Sequence, residues 1–133
     1  MYAGKRIRVL IIDDSLMFRT AIAKSLEQDP QLEVAGTASG AFDAKDKISS
    51  LAPDVITLDV EMPGMSGIDF LKTVMPKHPI PVIAVSGADS MVFEAMRAGA
   101  VDFIAKPEDS EMAAFSRELA SKIKIASVAR LVG

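Results

Sequence analysis

The chain has 133 residues, enough for one domain with a real hydrophobic core and too few for two. It is 50% hydrophobic and 25% charged with a formal net charge of −3, a composition that suits a folded globular domain and excludes a global basic field for nucleic acid or anionic lipid. There is no cysteine and His78 is the single histidine, which excludes disulfides, thiolate catalysis, zinc–thiolate sites and a histidine metal cluster.

The N-terminal stretch MYAGKRIRVLIIDD begins basic, but its apolar run meets Asp13 too soon for a signal peptide or a membrane span. A cytoplasmic location without direct membrane insertion is therefore expected. Short apolar, β-branched runs then alternate with helical periodicity along the whole chain, the pattern of repeated strand–helix units. The first strand is expected over Ile7–Ile12, followed by a helix with Leu16, Arg19, Ala23 and Leu26 on one face. A second strand over residues 33–38 leads to a helix marked by Phe42, Lys45 and Ile48. A third over residues 55–58 precedes a helix carrying Ile68, Leu71, Val74 and Met75. The fourth strand, residues 81–85, leads to a short helix with Met91, Val92, Ala95 and Met96, which Gly99 ends as a left-handed C-cap. The fifth strand covers residues 101–104, and a final helix runs from about residue 110 to 130 with Met112, Phe115, Leu119 and Ile123 as its apolar stripe.

The runs IRVLII, VITL and PVIAV are apolar nearly throughout, as expected of parallel strands covered by helices on both faces. The fold expected is α/β, a flavodoxin-like doubly wound five-stranded parallel sheet in order 2-1-3-4-5. The whole of residues 1–133 reads as one domain, with 125–133 offering the small residues of a linker's start. No internal repeat or low-complexity segment interrupts it.

In such sheets ligands bind beyond the carboxyl ends of the strands, at the switch point between the first and third. The strand ends here are Asp13-Asp14, Asp59, Ser86 and Lys106, and they converge on one edge. A single acid after a strand is ordinarily a cap or turn residue. Four chemistry-bearing ends together are another matter. Three crowded carboxylates repel one another unless a cation holds them, and an all-oxygen site of few carboxylates suits Mg²⁺. One carboxylate can then attack a phosphoryl donor to give an acyl phosphate, with Lys106 neutralising charge on the phosphoryl oxygens and Ser86 donating a hydrogen bond. Ser15 reads as the N-cap of the first helix.

Asp13-Asp14 after an apolar strand, Asp59 followed by Met62-Pro63-Gly64 and Gly67, Ser86 after PVIAV, and Lys106-Pro107 together resemble the response-regulator receiver pattern, over essentially the whole chain. The resemblance implies a CheY-like fold in which Asp59 takes its phosphoryl group from a phosphohistidine of a sensor kinase. It further implies that Asp14 and Asp59 ligate Mg²⁺ through side chains, the Glu61 backbone carbonyl is a third ligand, and Asp13 acts through water. A cis Lys106–Pro107 bond is implied as well. So is a switch in which Ser86 moves toward the phosphoryl oxygen and Phe103, standing where chemotaxis receivers commonly have Tyr, turns inward behind it.

The segments DVITLDVEMPGMSGIDFLKTVM, PVIAVS and GAVDFIAKP are most similar to the receiver of CheB-type chemotaxis methylesterases. That resemblance implies a CheA-type histidine kinase as phosphodonor. It also implies a C-terminal protein-glutamate methylesterase domain, in some members a glutamine deamidase, which acts on chemoreceptors and is blocked until the receiver is phosphorylated. No Ser-His-Asp hydrolase set is legible in these 133 residues, so no hydrolase site is expected in the chain itself beyond receiver self-phosphorylation and dephosphorylation. One departure stands out: Ser86 and Gly99 lie 13 positions apart (99 − 86), a few fewer than in the receivers it resembles. A stand-alone CheY-like receiver acting by protein–protein contact is the alternative. An Asp-nucleophile phosphatase would space its two acids differently from adjacent Asp13-Asp14, and a flavin site would need a phosphate-cradling loop after the first strand.

Overall fold

Side chains alternate across a strand, so a strand covered on both faces is apolar nearly throughout, and the three central strands are, with Arg8, Thr57, Asp59 and Ser86 as their polar positions. In the computed structural model, which describes the backbone of residues 5–62, 64–87 and 90–132, five strands and five helices alternate. They are β1 (Ile7–Ile12), α1 (Leu16–Leu26), β2 (Leu32–Ala38), α2 (Ala41–Leu51), β3 (Val55–Asp59), α3 (Gly67–Val74), β4 (Val82–Ser86), α4 (Ser90–Ala98), β5 (Asp102–Ala105) and α5 (Met112–Val132). A 3-10 turn, Asp109–Glu111, leads into α5. All neighbouring strands are parallel, in the order β2-β1-β3-β4-β5. This is the expected architecture.

Leu10, Ile12, Ile56, Leu58, Val82 and Ala84 project to one face and pack with Ala44, Ile48, Ile68, Leu71, Val74 and Ala95 of α2, α3 and α4. Val9, Ile11, Val55, Ile83, Val85 and Ile104 project to the other and meet Ile22, Leu26, Phe115, Leu119 and Ile123 of α1 and α5. At roughly 1.5–3 kcal/mol for each large apolar side chain taken out of water, these two layers hold the strand ends in place. The register sets Ile12 beside Leu58, Asp59 beside Val85 and Ser86 beside Ala105, so the strands stop at one level.

Two helix faces differ from the periodicity reading. Leu16 is 67% exposed and Phe42 is 90% exposed; the residues buried on α1 are Ile22 and Leu26, and on α2 Ala44 and Ile48. Both helices carry apolar residues on two overlapping stripes, and the stripe that meets the sheet is the one the preceding turn aims at it. Met96 on α4 is likewise exposed, whereas Ala95 is buried. The stripes expected on α3 and α5 are buried, Met75 and Met112 partly so. Gly99 has a φ of +124°, where a side chain would be strained, as a helix terminator requires. Residues 125 to 132, expected as a linker's start, continue α5. Among the described residues no helix is long and apolar enough to cross a membrane.

The turn after β3 is shaped by Gly67. A Cβ there would stand 2.4 Å from the Val60 Cα and 2.7 Å from the Asp59 carbonyl oxygen, both backbone atoms that cannot yield. Its N–H donates to the Val60 oxygen at 3.2 Å, and the hydroxyl of Ser66 caps α3 by accepting from the Asp69 N–H. Gly67→Ala is expected to destabilise the domain by about 1–3 kcal/mol, read as a lower urea midpoint with an unchanged slope.

Candidate functional site

Strand β1 delivers Asp13 and Asp14, β3 ends on Asp59, β4 ends on Ser86, and Lys106 follows β5. Because these strands end level, the residues meet. One carboxylate oxygen each of Asp13, Asp14 and Asp59 lies within 4.8 Å of the others. Asp13 and Asp59 are each only 2% exposed, while Asp14 faces solvent. The Lys106 Nζ lies 3.2 Å from the Asp13 Oδ2 and 3.6 Å from the Asp59 Oδ2. It also sits 4.6 Å above the Phe18 ring, a cation–π contact supplied by α1.

Local hydrogen bonds fix each acid. The Asp13 Oδ1 accepts from the Ser15 N–H at 2.8 Å, and its carbonyl oxygen accepts from the Arg19 Nη1 at 2.8 Å. Ser15 is the N-cap of α1, its hydroxyl accepting from the Phe18 N–H at 3.2 Å, as expected. The Asp59 Oδ1 accepts from the Glu61 N–H at 2.9 Å. Ser86 accepts at its carbonyl from the Lys106 N–H at 2.9 Å. Its hydroxyl donates to the Glu61 Oε1 at 3.3 Å, and the Gly87 N–H donates to the same oxygen at 2.7 Å.

Burial pushes the Asp59 carboxyl up to about 6; the Glu61 N–H pulls it down, Asp13 and Asp14 push it up again, and Lys106 offsets them only in part. Burial lowers the Lys106 ammonium, but the charges of Asp13 and Asp59 outweigh it and leave the group above its ordinary value. One ammonium among three acids leaves the cluster short of positive charge. The donor set is oxygen alone, two of the acids are buried, and the third opens to solvent, which fits a hard divalent cation that keeps waters, as Mg²⁺ does.

The acids, Ser86 and Lys106 thus share one edge, and Glu61 reaches it by backbone and side chain. Phe103 lies apart. It is 37% exposed on β5, with the Lys122 Nζ 6.0 Å from its ring centroid. Pro63 of the Met62-Pro63-Gly64 motif lies outside the described residues. The expected cis Lys106–Pro107 bond is not found: among the described residues every peptide bond is trans, the form X–Pro bonds prefer by roughly 0.5–1 kcal/mol. Sequence reasoning missed Phe18 beneath Lys106, Arg19 on the Asp13 carbonyl and the Glu61 side chain. Only Arg19, a cation in the first turns after the acids, left a signal.

Residues 9–114 match the family model described as response regulator receiver domain. A protein-glutamate methylesterase/protein-glutamine glutaminase of Syntrophomonas wolfei is 52% identical over 130 residues, covering 96% of this chain and 38% of that protein. The chain therefore spans well under half of that relative's length. The response regulator domain of Thermotoga maritima CheB superposes with a TM-score of 0.85 at 40% identity, covering 92% of this chain and 97% of that one. A chain from the complex of the CheA3 P1 domain with CheY6 of R. sphaeroides superposes with a TM-score of 0.80 at 28% identity, covering 94% and 99%.

The raised Asp59 value fixes a pH dependence. A carboxyl whose value is about 6 folded and 3.8 unfolded stabilises the fold fully below 3.8, and that contribution is lost as the pH rises through about 6. Asp29 works oppositely: burial opposes its charge, yet Lys124 and the Gln31 N–H hold it below its ordinary value, so its contribution is lost in acid. In EDTA, Asp59→Asn is expected to raise stability at pH 7 by up to about 3 kcal/mol and to flatten the dependence between pH 4 and 6, measured by urea unfolding across that range.

Proposed function

The chain belongs to the response regulator receiver family, and from that premise we propose that Asp59 is its phosphoacceptor, acting in a Mg²⁺-dependent site with Lys106 and Ser86. One observation carries the reading: three carboxylates gather at the sheet edge with the Lys106 ammonium between Asp13 and Asp59. With a value near 6, Asp59 is mostly ionised at neutral pH and can attack.

In the proposed reaction an Asp59 oxygen forms a bond to the phosphorus of a phosphohistidine, and the phosphorus–nitrogen bond breaks with its electron pair passing to the imidazole. Asp14 and Asp59 side chains and the Glu61 backbone carbonyl would hold Mg²⁺, with Asp13 acting through water. The ion, when bound, supplies charge neutralisation at the phosphoryl oxygens. Lys106 adds a second positive charge from the β5 side, and its contact with Phe18 limits the directions it can take. The Ser86 hydroxyl, at the end of β4, is the donor offered to a phosphoryl oxygen. Burial of Asp13 and Asp59 keeps bulk water from screening these charges.

The output is proposed to follow from Ser86 and Phe103. Phosphorylation draws Ser86 toward the acceptor, and the half-exposed Phe103 ring turns inward, altering the surface of α4, β5 and α5. The relatives support a chemotaxis role: the phosphodonor is proposed to be a CheA-type histidine kinase in the cytoplasm. The controlled activity is proposed to be a protein-glutamate methylesterase/glutaminase domain joined after residues 125–133. Receiver and output would then be parts of one regulated protein.

Incubation with Mg²⁺ and acetyl phosphate or phosphoramidate, followed by intact mass measurement, is expected to show one added phosphoryl group. The group should be absent in Asp59→Asn and after EDTA. Persistent labelling of Asp59→Asn contradicts the assignment. Lys106→Ala is expected to retain Mg²⁺ binding by calorimetry while losing the conformational response to phosphorylation seen as amide shift changes in α4 and β5.

A further inference from the structure

Glu61 has a side chain whose placement the proposed chemistry does not use. The residue is exposed, so its carboxylate has free access to water, yet its Oε1 accepts from the Gly87 N–H at 2.7 Å and from the Ser86 hydroxyl at 3.3 Å. Its own N–H meanwhile donates to the Asp59 Oδ1. Residues 59 to 61 therefore bind the acceptor carboxylate at one end and the turn after β4 at the other. A hydroxyl has a single proton to donate. While it is given to Glu61 it is not given to a phosphoryl oxygen on Asp59.

Resting on the reading that Asp59 is the phosphoacceptor, we infer that the Glu61 carboxylate is a latch: it holds Ser86 and Gly87 in the unphosphorylated arrangement and competes with the phosphoryl group for the Ser86 hydroxyl. Hydrogen bonds to an ionised acceptor are stronger than neutral ones, so the phosphoryl group must outbid a good partner. The phosphoryl group also brings negative charge close to Glu61 and so helps to dislodge it. Glu61 is then a positioning residue that acts through Ser86 and sets how far the switching equilibrium lies toward the resting form.

A scaffold role and a latch role predict opposite signs. If Glu61 merely shaped the turn, removing it would loosen Ser86 and weaken binding of a phosphoryl mimic. A latch, once removed, takes away one competitor for the hydroxyl and strengthens binding. The experiment is calorimetric titration of beryllofluoride into the domain at saturating Mg²⁺, for the wild type, Glu61→Ala, Glu61→Gln, Ser86→Ala and the Glu61→Ala/Ser86→Ala pair. Loss of charge-assisted hydrogen bonds should tighten binding about tenfold in Glu61→Ala and about threefold in Glu61→Gln, which keeps an acceptor oxygen but not the charge. In the Ser86→Ala background the Glu61→Ala gain should shrink below about threefold, the remainder belonging to Gly87. Affinity that is unchanged or weaker in Glu61→Ala, or an equal gain in both backgrounds, overturns the latch while leaving Asp59 as acceptor. Wild-type protein that does not bind the mimic, or Asp59→Asn that binds it equally well, overturns the reading of Asp59 and the latch with it.

Discussion

Asp13 and Asp59 are almost fully buried, and carrying two carboxylates into a folded protein is costly unless a cation meets them. Lys106 meets both, at 3.2 and 3.6 Å, and much of the architecture serves to put it there. Strand β5 must lie beside β4 in register, with Ser86 opposite Ala105, so that the residue after the strand reaches across β4 toward β3 and β1. Helix α5 covers β5 through Phe115, Leu119 and Ile123, and Phe115 in turn packs against Phe18, the ring beneath the ammonium. A contact between lysine and carboxylate thus ties the first, third and fifth strands to two helices. The same contact leaves the acids incompletely neutralised, and a site that still favours positive charge is what a divalent ion and a phosphoryl group can exploit together.

The fold was largely legible because parallel strands buried on both faces leave short continuous apolar runs such as VITL and PVIAV, rich in β-branched residues and set between helical stretches. The site was legible for a topological reason: strand ends in a doubly wound sheet share one edge, so acids far apart in sequence could be brought together before any distance was known. What failed was the rotation of short helices. In α1 the residues Leu16, Arg19, Ala23 and Leu26 and the buried pair Ile22 and Leu26 both fit helical spacing, and spacing cannot choose between stripes that share a residue. Phe42 misled for a related reason, since a large apolar residue near a helix start need not lie on its packed face; on α2 the smaller Ala44 does.

Side-chain contacts across elements beyond that strand-end set were hardly legible. Nothing in the local sequence of Glu61 says that its carboxylate reaches Ser86 and Gly87, and nothing around Phe18 says that its ring underlies Lys106. These depend on the depth at which loops settle above the sheet, which is set by the whole packed domain. The acids, the lysine and the hydroxyl are implied by the shared motif, whereas these neighbours become visible only in the packed structure. Glu61 joins Ser86 and Gly87 directly, since its Oε1 accepts from both the Ser86 hydroxyl and the Gly87 N–H.

Whether this edge receives a phosphoryl group on Asp59 is decided by locating the bond. Borohydride reduces an aspartyl phosphate to homoserine, which persists through proteolysis and peptide sequencing by mass spectrometry. After phosphotransfer from a phosphohistidine-bearing kinase domain in Mg²⁺, homoserine is expected at position 59 and at neither 13 nor 14. Homoserine at another acid, or its absence from a chain shown to have taken up phosphate, would contradict it.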